Sequence, residues 1–312
     1  MITVLCANTG IDKTFEVEGF QIGGFHHPRR VRTAPGGKGV NVARVLRALG
    51  TEVVLTGFAG GAPAQYIATY LRREGIVPDL VRIAEDSRLC LNILDTVRGT
   101  GTRLDEVGPL VTPTEIEQLG RKWQALMQRS SLAVISGSAP RGVPFDLYGE
   151  LILLAREARV PVILDAHDEM LRQSIDAGPT VLKPNLEELS TLCGHELSVP
   201  EGVLKASRDL LNRGVRVVVC SLGADGALIT TRDHGEWRAR APQIQEVSPV
   251  GSGDAMVAGF AAAMHQGRSL EDCVRWAIAA GAACAATFGA GFATLAQVEA
   301  LVSQVSLEPL SV

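Results

Sequence analysis

The chain lacks an excess of either charge. Its 312 residues carry 30 Lys and Arg against 34 Asp and Glu, a formal net charge of −4. A nucleic-acid binder carries a basic excess, so the balance argues against that partner. Paired cysteines are missing too: Cys6, Cys90, Cys193, Cys220, Cys273 and Cys284 are scattered, with no C-x-x-C among them. Neither a zinc site nor a disulfide framework is expected, and reduced thiols in a cytoplasmic protein fit. Residues 276–297 carry no charge and are long enough to span a bilayer. Yet after Trp276 only Ile278, Phe288, Phe292 and Leu295 are large aliphatic or aromatic residues, too few to drive insertion. That stretch reads as a small-residue helix packed on a sheet, and no membrane contact is expected. The opening Met-Ile-Thr-Val-Leu-Cys-Ala lacks a basic region, so no signal peptide is expected either. Internal repeats, low-complexity tracts and long linkers are absent.

What is present is an ordinary globular composition, 46% hydrophobic and 21% charged, long enough for a large α/β core. Short apolar runs at 2–6, 53–58, 132–136, 160–165, 181–183 and 215–221 read as strands, several of them apolar throughout as buried parallel strands are. Amphipathic helices alternate with them. Val42, Val45, Leu46 and Leu49 follow one helical face, as do Leu147, Leu151, Leu154, Ala155 and Ala158. Thr112, Pro113 and Glu115 spell a capping box before Ile116, Leu119, Trp123 and Leu126; Ser269 with Asp272 repeats the start signal, and Gly214 marks a stop. This alternation predicts one α/β domain over 1–312, doubly wound, with a mostly parallel sheet flanked by helices. Segments 14–35 and 89–103 break the rhythm and read as extra strands, a small inserted sheet able to cover the carboxyl ends of the main strands. The basic cluster His26-His27-Pro28-Arg29-Arg30-Val31-Arg32 is either a solvated loop or an attractor of phosphate.

Two glycine-rich stretches carry the chemistry. Gly251-Ser252-Gly253-Asp254 precedes an Ala-rich helix that starts with Met256, Val257, Phe260 and Met264. Glycines there let N–H groups turn inward as an anion site at a helix N-terminus, with an acid beside it that either acts as a base or caps the helix. Gly36-Gly37-Lys38-Gly39, followed by Asn41, offers a flat turn on which a sugar can lie, or is a plain loop before a helix. Neither stretch is a Walker A loop or a dinucleotide fingerprint.

These blocks resemble the PfkB (ribokinase-like) family of carbohydrate kinases, and within it the hexose-phosphate kinases typified by 1-phosphofructokinase and tagatose-6-phosphate kinase. The resemblance runs almost end to end and in order, through Asn8 to Asp12, Gly36 to Ala43, Ser136-Gly137-Ser138-Ala139-Pro140, Lys183-Pro184-Asn185-Leu186-Glu187-Glu188, Ser221 to Gly226, and Val250 to Gly259. It implies that Asp254 takes the proton of the acceptor hydroxyl and that the N–H groups of Gly251, Ser252, Gly253 and Asp254 receive the transferred phosphoryl group. It implies sugar contacts from Asp12, Gly37, Lys38, Asn41 and Ser138, with Lys38 and Arg88 on the phosphate the acceptor already carries. ATP would meet Lys183, Asn185, Ser221, Gly223, Gly226 and Gly253, and Asn185 with Glu188 would act on hydrated Mg²⁺. The implied reaction is ATP-dependent phosphorylation of a ketohexose phosphate, fructose 1-phosphate giving fructose 1,6-bisphosphate. Tagatose 6-phosphate and fructose 6-phosphate are the alternatives, and a sugar or nucleotide sensor on the same fold is the rival class. A homodimer joined through the lid is also implied. Thr9-Gly10 and Ala255 depart from the family pattern, which has Pro-Ala and often a serine there.

Overall fold

A computed structural model describes residues 1–310. Along the chain its strands are β1 (Ile2–Cys6), β2 (Gly10–Val17), β3 (Arg30–Gly36), β4 (Val53–Gly60), β5 (Val77–Pro78), β6 (Val81–Ile83), β7 (Arg88–Asp95) and β8 (Thr100–Asp105). They continue as β9 (Leu132–Ser136), β10 (Val162–Asp165), β11 (Val181–Leu182), β12 (Val217–Ser221), β13 (Ala227–Thr231), β14 (Glu236–Arg240) and β15 (Ser306–Pro309). The α-helices are α1 (Lys38–Ala48), α2 (Gly61–Arg73), α3 (Pro113–Met127), α4 (Leu147–Glu157), α5 (Asp168–Ser174), α6 (Leu186–Cys193), α7 (Glu201–Asn212), α8 (Ser252–His265), α9 (Leu270–Ala285) and α10 (Leu295–Val302).

The apolar runs become the middle of the main sheet, ordered β15-β14-β13-β12-β11-β10-β9-β1-β4-β5, with β6 also paired to β4. Pairing is parallel from β12 to β5 and antiparallel from β12 to β15. Successive strand residues face opposite sides, so Ile2, Val4 and Cys6 join one core with Val40, Leu46 and Phe260, while Leu5 and Ala7 join the other with Trp123 and Tyr148. Helices cover both faces, and unbroken apolar strands are what such a sheet requires. The start and stop signals act as read: Thr112 and Glu115 form the reciprocal box, Ser269 accepts from the Asp272 N–H, and Gly214 follows α7 at φ 109°.

The charge-free stretch from Trp276 is not one helix: α9 ends at Ala285 and α10 begins at Leu295, and the main partner of α9 is α8 instead of a sheet. The two axes come too close for larger residues: a Cβ on Gly259 would stand 2.4 Å from the Trp276 carbonyl oxygen, and one on Gly281 2.6 Å from Met256 Cγ.

A second sheet, ordered β3-β2-β7-β8, is inserted between β1 and α1 and between β6 and α3. Strand β2 is antiparallel to β3 and parallel to β7, and β7 is antiparallel to β8. The expected segments 14–35 and 89–103 fall inside it, but its strands start at Gly10 and Arg88 and run to Gly36 and Asp105. Gly10 pairs with both Gly36 and Arg88, and a Cβ on it would meet the Arg88 carbonyl oxygen at 2.7 Å. The wider bounds put Asp12 on this sheet.

Candidate functional site

Five parallel strands end at one place. Cys6, Ser136, Asp165 and Ser221 close β1, β9, β10 and β12, and Lys183 follows β11 directly. Ligands of open α/β sheets bind at this edge. Here a cleft of about 900 Å³ opens, and every residue that the resemblance assigns to the site lines it: Asp12, Gly37, Lys38, Asn41, Arg88 and Ser138, Lys183, Asn185, Glu188, Ser221, Gly223 and Gly226, and Gly251, Ser252, Gly253 and Asp254. Departures from the family pattern lie differently. Thr9 is buried and donates to the Phe58 carbonyl, and Ala255 is buried in the core. Gly10 lets Arg88 come close.

The second sheet supplies one wall. Asp12 pairs with Cys90 and Cys90 with Asp105, while Arg88 and Arg103 lie two residues along on the same face. Burial pushes the Asp12 carboxyl up, against the opposing pull of Arg103 and Arg88. Its carboxylate fits because Gly36 has no side chain; a Cβ there would stand 2.0 Å from Asp12 Oδ1. Arg103 sits 2.7 Å from Asp105. Arg88 Nε is buried and has no partner among the described residues.

Helix α8 opens on Gly251 in the left-handed region, φ 84°, with no side chain capping it. The N–H of Ser252 donates to the Pro249 carbonyl at 3.2 Å. Those of Gly251, Gly253 and Asp254 meet no acceptor among the described residues, and the Ser252 hydroxyl is also unpartnered. Asp254 therefore does not cap the helix. Its Oδ2 instead accepts from Asn41 Nδ2 at 2.8 Å.

Charge is distributed unevenly around that acid. Asp165, 1% exposed, has Lys183 Nζ at 3.1 Å and Lys38 Nζ at 3.8 Å, and its other oxygen accepts from the Ser136 hydroxyl at 3.2 Å. Burial would raise its pKa, but the two lysines win and hold it below the ordinary carboxylate value. Asp254 has no such partner. Burial first, then the Asp165 charge, push it up to about 7, against the weaker pull of Asn41, Lys38 and Lys183. Burial also opposes the Lys38 ammonium, but Asp165, Glu188 and Asp254 outweigh it and keep that pKa above its usual value.

Asn185 and Glu188 form a reciprocal cap on α6: Asn185 Oδ1 accepts from the Glu188 N–H at 2.7 Å, and Glu188 Oε2 from the Asn185 N–H at 2.9 Å. Glu188 Oε1 stays free of the cap and faces Lys38 Nζ at 3.4 Å. No group of three or more His, Cys, Asp or Glu among the described residues could hold a metal by itself. Magnesium needs no such cage; one or two carboxylates with nucleotide phosphates and water suffice, so the fixed Glu188 carboxylate fits it.

The basic cluster at 26–32 does not line the cleft. Arg29 pairs with Glu18 at 2.6 Å, while the Arg30 and Arg32 guanidiniums lie over the rings of Phe288 and Phe292 at 4.5 and 3.4 Å. Residues that sequence reasoning missed are Asp165, Arg103 and Asp105. Asp165 had a signal, an acid terminating an apolar parallel strand; Arg103 and Asp105 had none.

The fold and the cleft define a class, the sugar kinases with a ribokinase-like α/β architecture. The chain belongs to the pfkB family of carbohydrate kinases, whose model matches residues 6–297. It is 33% identical over 285 residues to 1-phosphofructokinase of Borreliella burgdorferi, covering 91% of this chain and 92% of that one. It is 32% identical over 285 residues to tagatose-6-phosphate kinase of Staphylococcus epidermidis, covering 90% and 91%. The structure of phosphofructokinase-2 from Escherichia coli in complex with fructose-6-phosphate superposes with a TM-score of 0.90 at 28% identity, over 97% of this chain and 98% of that one. The protein is thus a phosphofructokinase-type sugar kinase, and no described helix is long and apolar enough to cross a membrane.

The uneven charge has a consequence for stability. Asp254 titrates near 7 when folded and near 3.8 when unfolded. Between those values the folded state keeps a proton that the unfolded chain has lost, so this group's contribution falls as pH rises and reaches its full penalty above about 7. Asp254→Asn removes the penalty and keeps an acceptor for Asn41. Thermal denaturation is expected to find Asp254→Asn more stable than wild type at pH 8, with the gap narrowing at pH 5. A variant less stable at pH 8 contradicts the charge balance described.

Proposed function

We propose that the enzyme transfers the γ-phosphoryl group of ATP to the free primary hydroxyl of a ketohexose phosphate, with fructose 1-phosphate giving fructose 1,6-bisphosphate. The observation that carries this reading is the buried Asp254, raised to about 7 and lying beside N–H groups that have no acceptor. A base that titrates near the working pH is suited to take a hydroxyl proton. In the proposed step the acceptor oxygen attacks the γ-phosphorus, its proton passes to Asp254, and the bond from phosphorus to the β-phosphate oxygen breaks to release ADP. The N–H groups of Gly251, Gly253 and Asp254 receive the charge of the phosphoryl oxygens in flight. Lys183, turned to Asp165, lies on the nucleotide-phosphate side, where Ser221, Gly223, Gly226 and Asn185 bound the space for the nucleotide, while Lys38 is kept, with Arg88, for the phosphate that the acceptor already carries. Glu188, with Asn185, would hold a hydrated magnesium ion carried by the nucleotide, which when bound neutralises phosphate charge.

On the acceptor side we assign Asp12, Asn41, Gly37 and Ser138 to the sugar hydroxyls, and we keep the whole chain as one kinase domain with the second sheet as its lid. Support for a phosphorylated acceptor is half-buried Arg88, whose Nε is buried and unpartnered among the described residues and which lines the cleft together with Arg103. A free sugar leaves that charge unpaired. We further propose a homodimer through the lid, on the grounds that the connection from β2 to β3 holds Ile22 98% and Phe25 87% exposed.

Four outcomes are expected. Gly253→Ala keeps its fold, because the nearest atom to the new Cβ is Lys183 Nζ at 3.6 Å. Alanine is also the better helix former by up to about 1 kcal/mol. Alanine keeps the backbone N–H but sets a methyl group beside Lys183, in the space proposed for the transferred phosphoryl group, so kcat falls about a hundredfold or more, the scale of losing one anion-hole contact; full activity refutes that placement of the phosphoryl group. Across fructose 1-phosphate, fructose 6-phosphate, tagatose 6-phosphate, fructose and ribose, kcat/KM is highest for fructose 1-phosphate. Arg88→Ala costs about 1.5–3 kcal/mol toward the phosphorylated acceptors alone, roughly tenfold or more in KM. A free sugar as best substrate overturns the acceptor reading, and an unchanged preference removes Arg88 from it. Light scattering at micromolar concentration gives a dimer mass, whereas a fully active monomer sinks the lid contact.

A further inference from the structure

Behind the base lies an ion pair, buried Arg44 with half-buried Glu74, that the reaction itself does not touch. Arg44 stands one turn after Asn41 on α1, is only 6% exposed and does not line the cleft. Its Nε donates to both carboxylate oxygens of Glu74, just past α2, at 3.0 and 3.1 Å. Its Nη2 donates to the Pro35 carbonyl near the end of β3 at 3.2 Å, and its Nη1 donates to Asn41 Oδ1 at 3.4 Å. The ring of Phe292 lies 4.6 Å from the guanidinium carbon.

Asn41 is itself buried, and its amide makes two hydrogen bonds: Oδ1 accepts from Arg44, and Nδ2 donates to Asp254. The opposite setting of the amide sets its oxygen against the carboxylate and its NH₂ against the guanidinium. Both contacts are then repulsive, in a place where water cannot relieve them. A charged group that can only donate thus decides which end of the amide the carboxylate meets. We propose that Arg44 is a positioning residue for phosphoryl transfer, fixing Asn41 so that an N–H group and not an oxygen faces Asp254. This rests on the reading of Asp254 as the base.

Two effects follow. The carboxylate lone pair that takes the proton is held in one direction, and the ionised form gains a donor that favours it. The other groups facing Asp254 are Asp165 from the end of β10, Lys38 from α1, Lys183 after β11 and Cys284 from α9. None of them is hydrogen-bonded to Arg44. Its action on the base therefore runs through Asn41. Lysine cannot replace it, because one ammonium on a flexible stem does not reach Glu74, Pro35 and Asn41 in three directions at once.

The test removes both charges of the pair together, so that neither is left unpaired, in Arg44→Gln with Glu74→Gln. Arg44→Lys serves in its place if that pair of changes does not fold. The expected result is kcat lower by about tenfold to a hundredfold, the scale of one hydrogen bond to a charged group, with the KM for ATP within about twofold of wild type. The acidic limb of the kcat/KM profile moves up by about half a unit to one unit. In an Asn41→Ala background the same changes lower kcat by no more than about twofold further. An unmoved limb, or an undiminished kcat loss in the Asn41→Ala background, overturns the proposal. Asp254→Asn run alongside separates the two readings. Retention of more than about a tenth of wild-type kcat defeats the base itself, whereas an inactive Asp254→Asn with an unmoved limb in the Arg44 variants defeats only the role of Arg44.

Discussion

Two carboxylates, Asp254 and Asp165, share a buried space with two lysines, and both lysines are turned toward Asp165. Everything distinctive about the cleft depends on that asymmetry. Asp165 is held ionised and serves as the fixed anion that favours the charged form of Lys38 and pairs with Lys183. Asp254 is raised first by its burial and then by repulsion from Asp165, tempered by the Asn41 amide and by the weaker pull of Lys38 and Lys183. Two acids of the same kind thereby become a structural anion and a group poised near neutrality, with no change of residue type.

The fold builds this arrangement from its edges. Parallel strands deliver Ser136, Asp165, Lys183 and Ser221 to a common line, and the bridge from Asn185 to Ser221 ties two of the phosphate-side loops together. Helix α8 arrives from the other direction, starting at Gly251 with donors unspent, and is clamped against α9 by contacts that only small residues allow. The second sheet then brings Asp12, Arg88 and Arg103 over the opening. Three of the buried polar atoms without a partner, on Asn8, Arg88 and Ser252, belong to residues that line this cleft. Buried polar groups are otherwise almost always satisfied, so their gathering here marks a place completed by a ligand.

Much of this was legible in the residue order. Apolar runs gave the central strands because a sheet covered on both faces leaves no room for alternation, and Thr112 with Glu115 gave a helix start because that spacing satisfies two orphan donors at once. The glycine pair and Asp254 were legible as a unit because few other uses need that combination. Less was visible where meaning comes from across-strand neighbours. Arg103 and Asp105 sit in an exposed hairpin strand, and only the register opposite Cys90 turns them toward the cleft. Asp254 could be read equally as a cap or a base until its partner was seen to be Asn41 and not a backbone N–H. The basic cluster at 26–32 stood open between a solvated loop and a phosphate attractor because the rings that hold Arg30 and Arg32 lie some 260 residues away in the chain.

The central claim is that Asp254 is a carboxyl poised near neutrality inside the folded enzyme. Infrared difference titration of wild type against Asp254→Asn, following the carboxyl stretch from pH 4 to pH 9, addresses it without relying on turnover. The account predicts one carboxyl that loses its proton near pH 7 in the wild type and is missing from the variant. Identical titrations, with every carboxyl ionised by about pH 5 as for ordinary Asp and Glu, would contradict it.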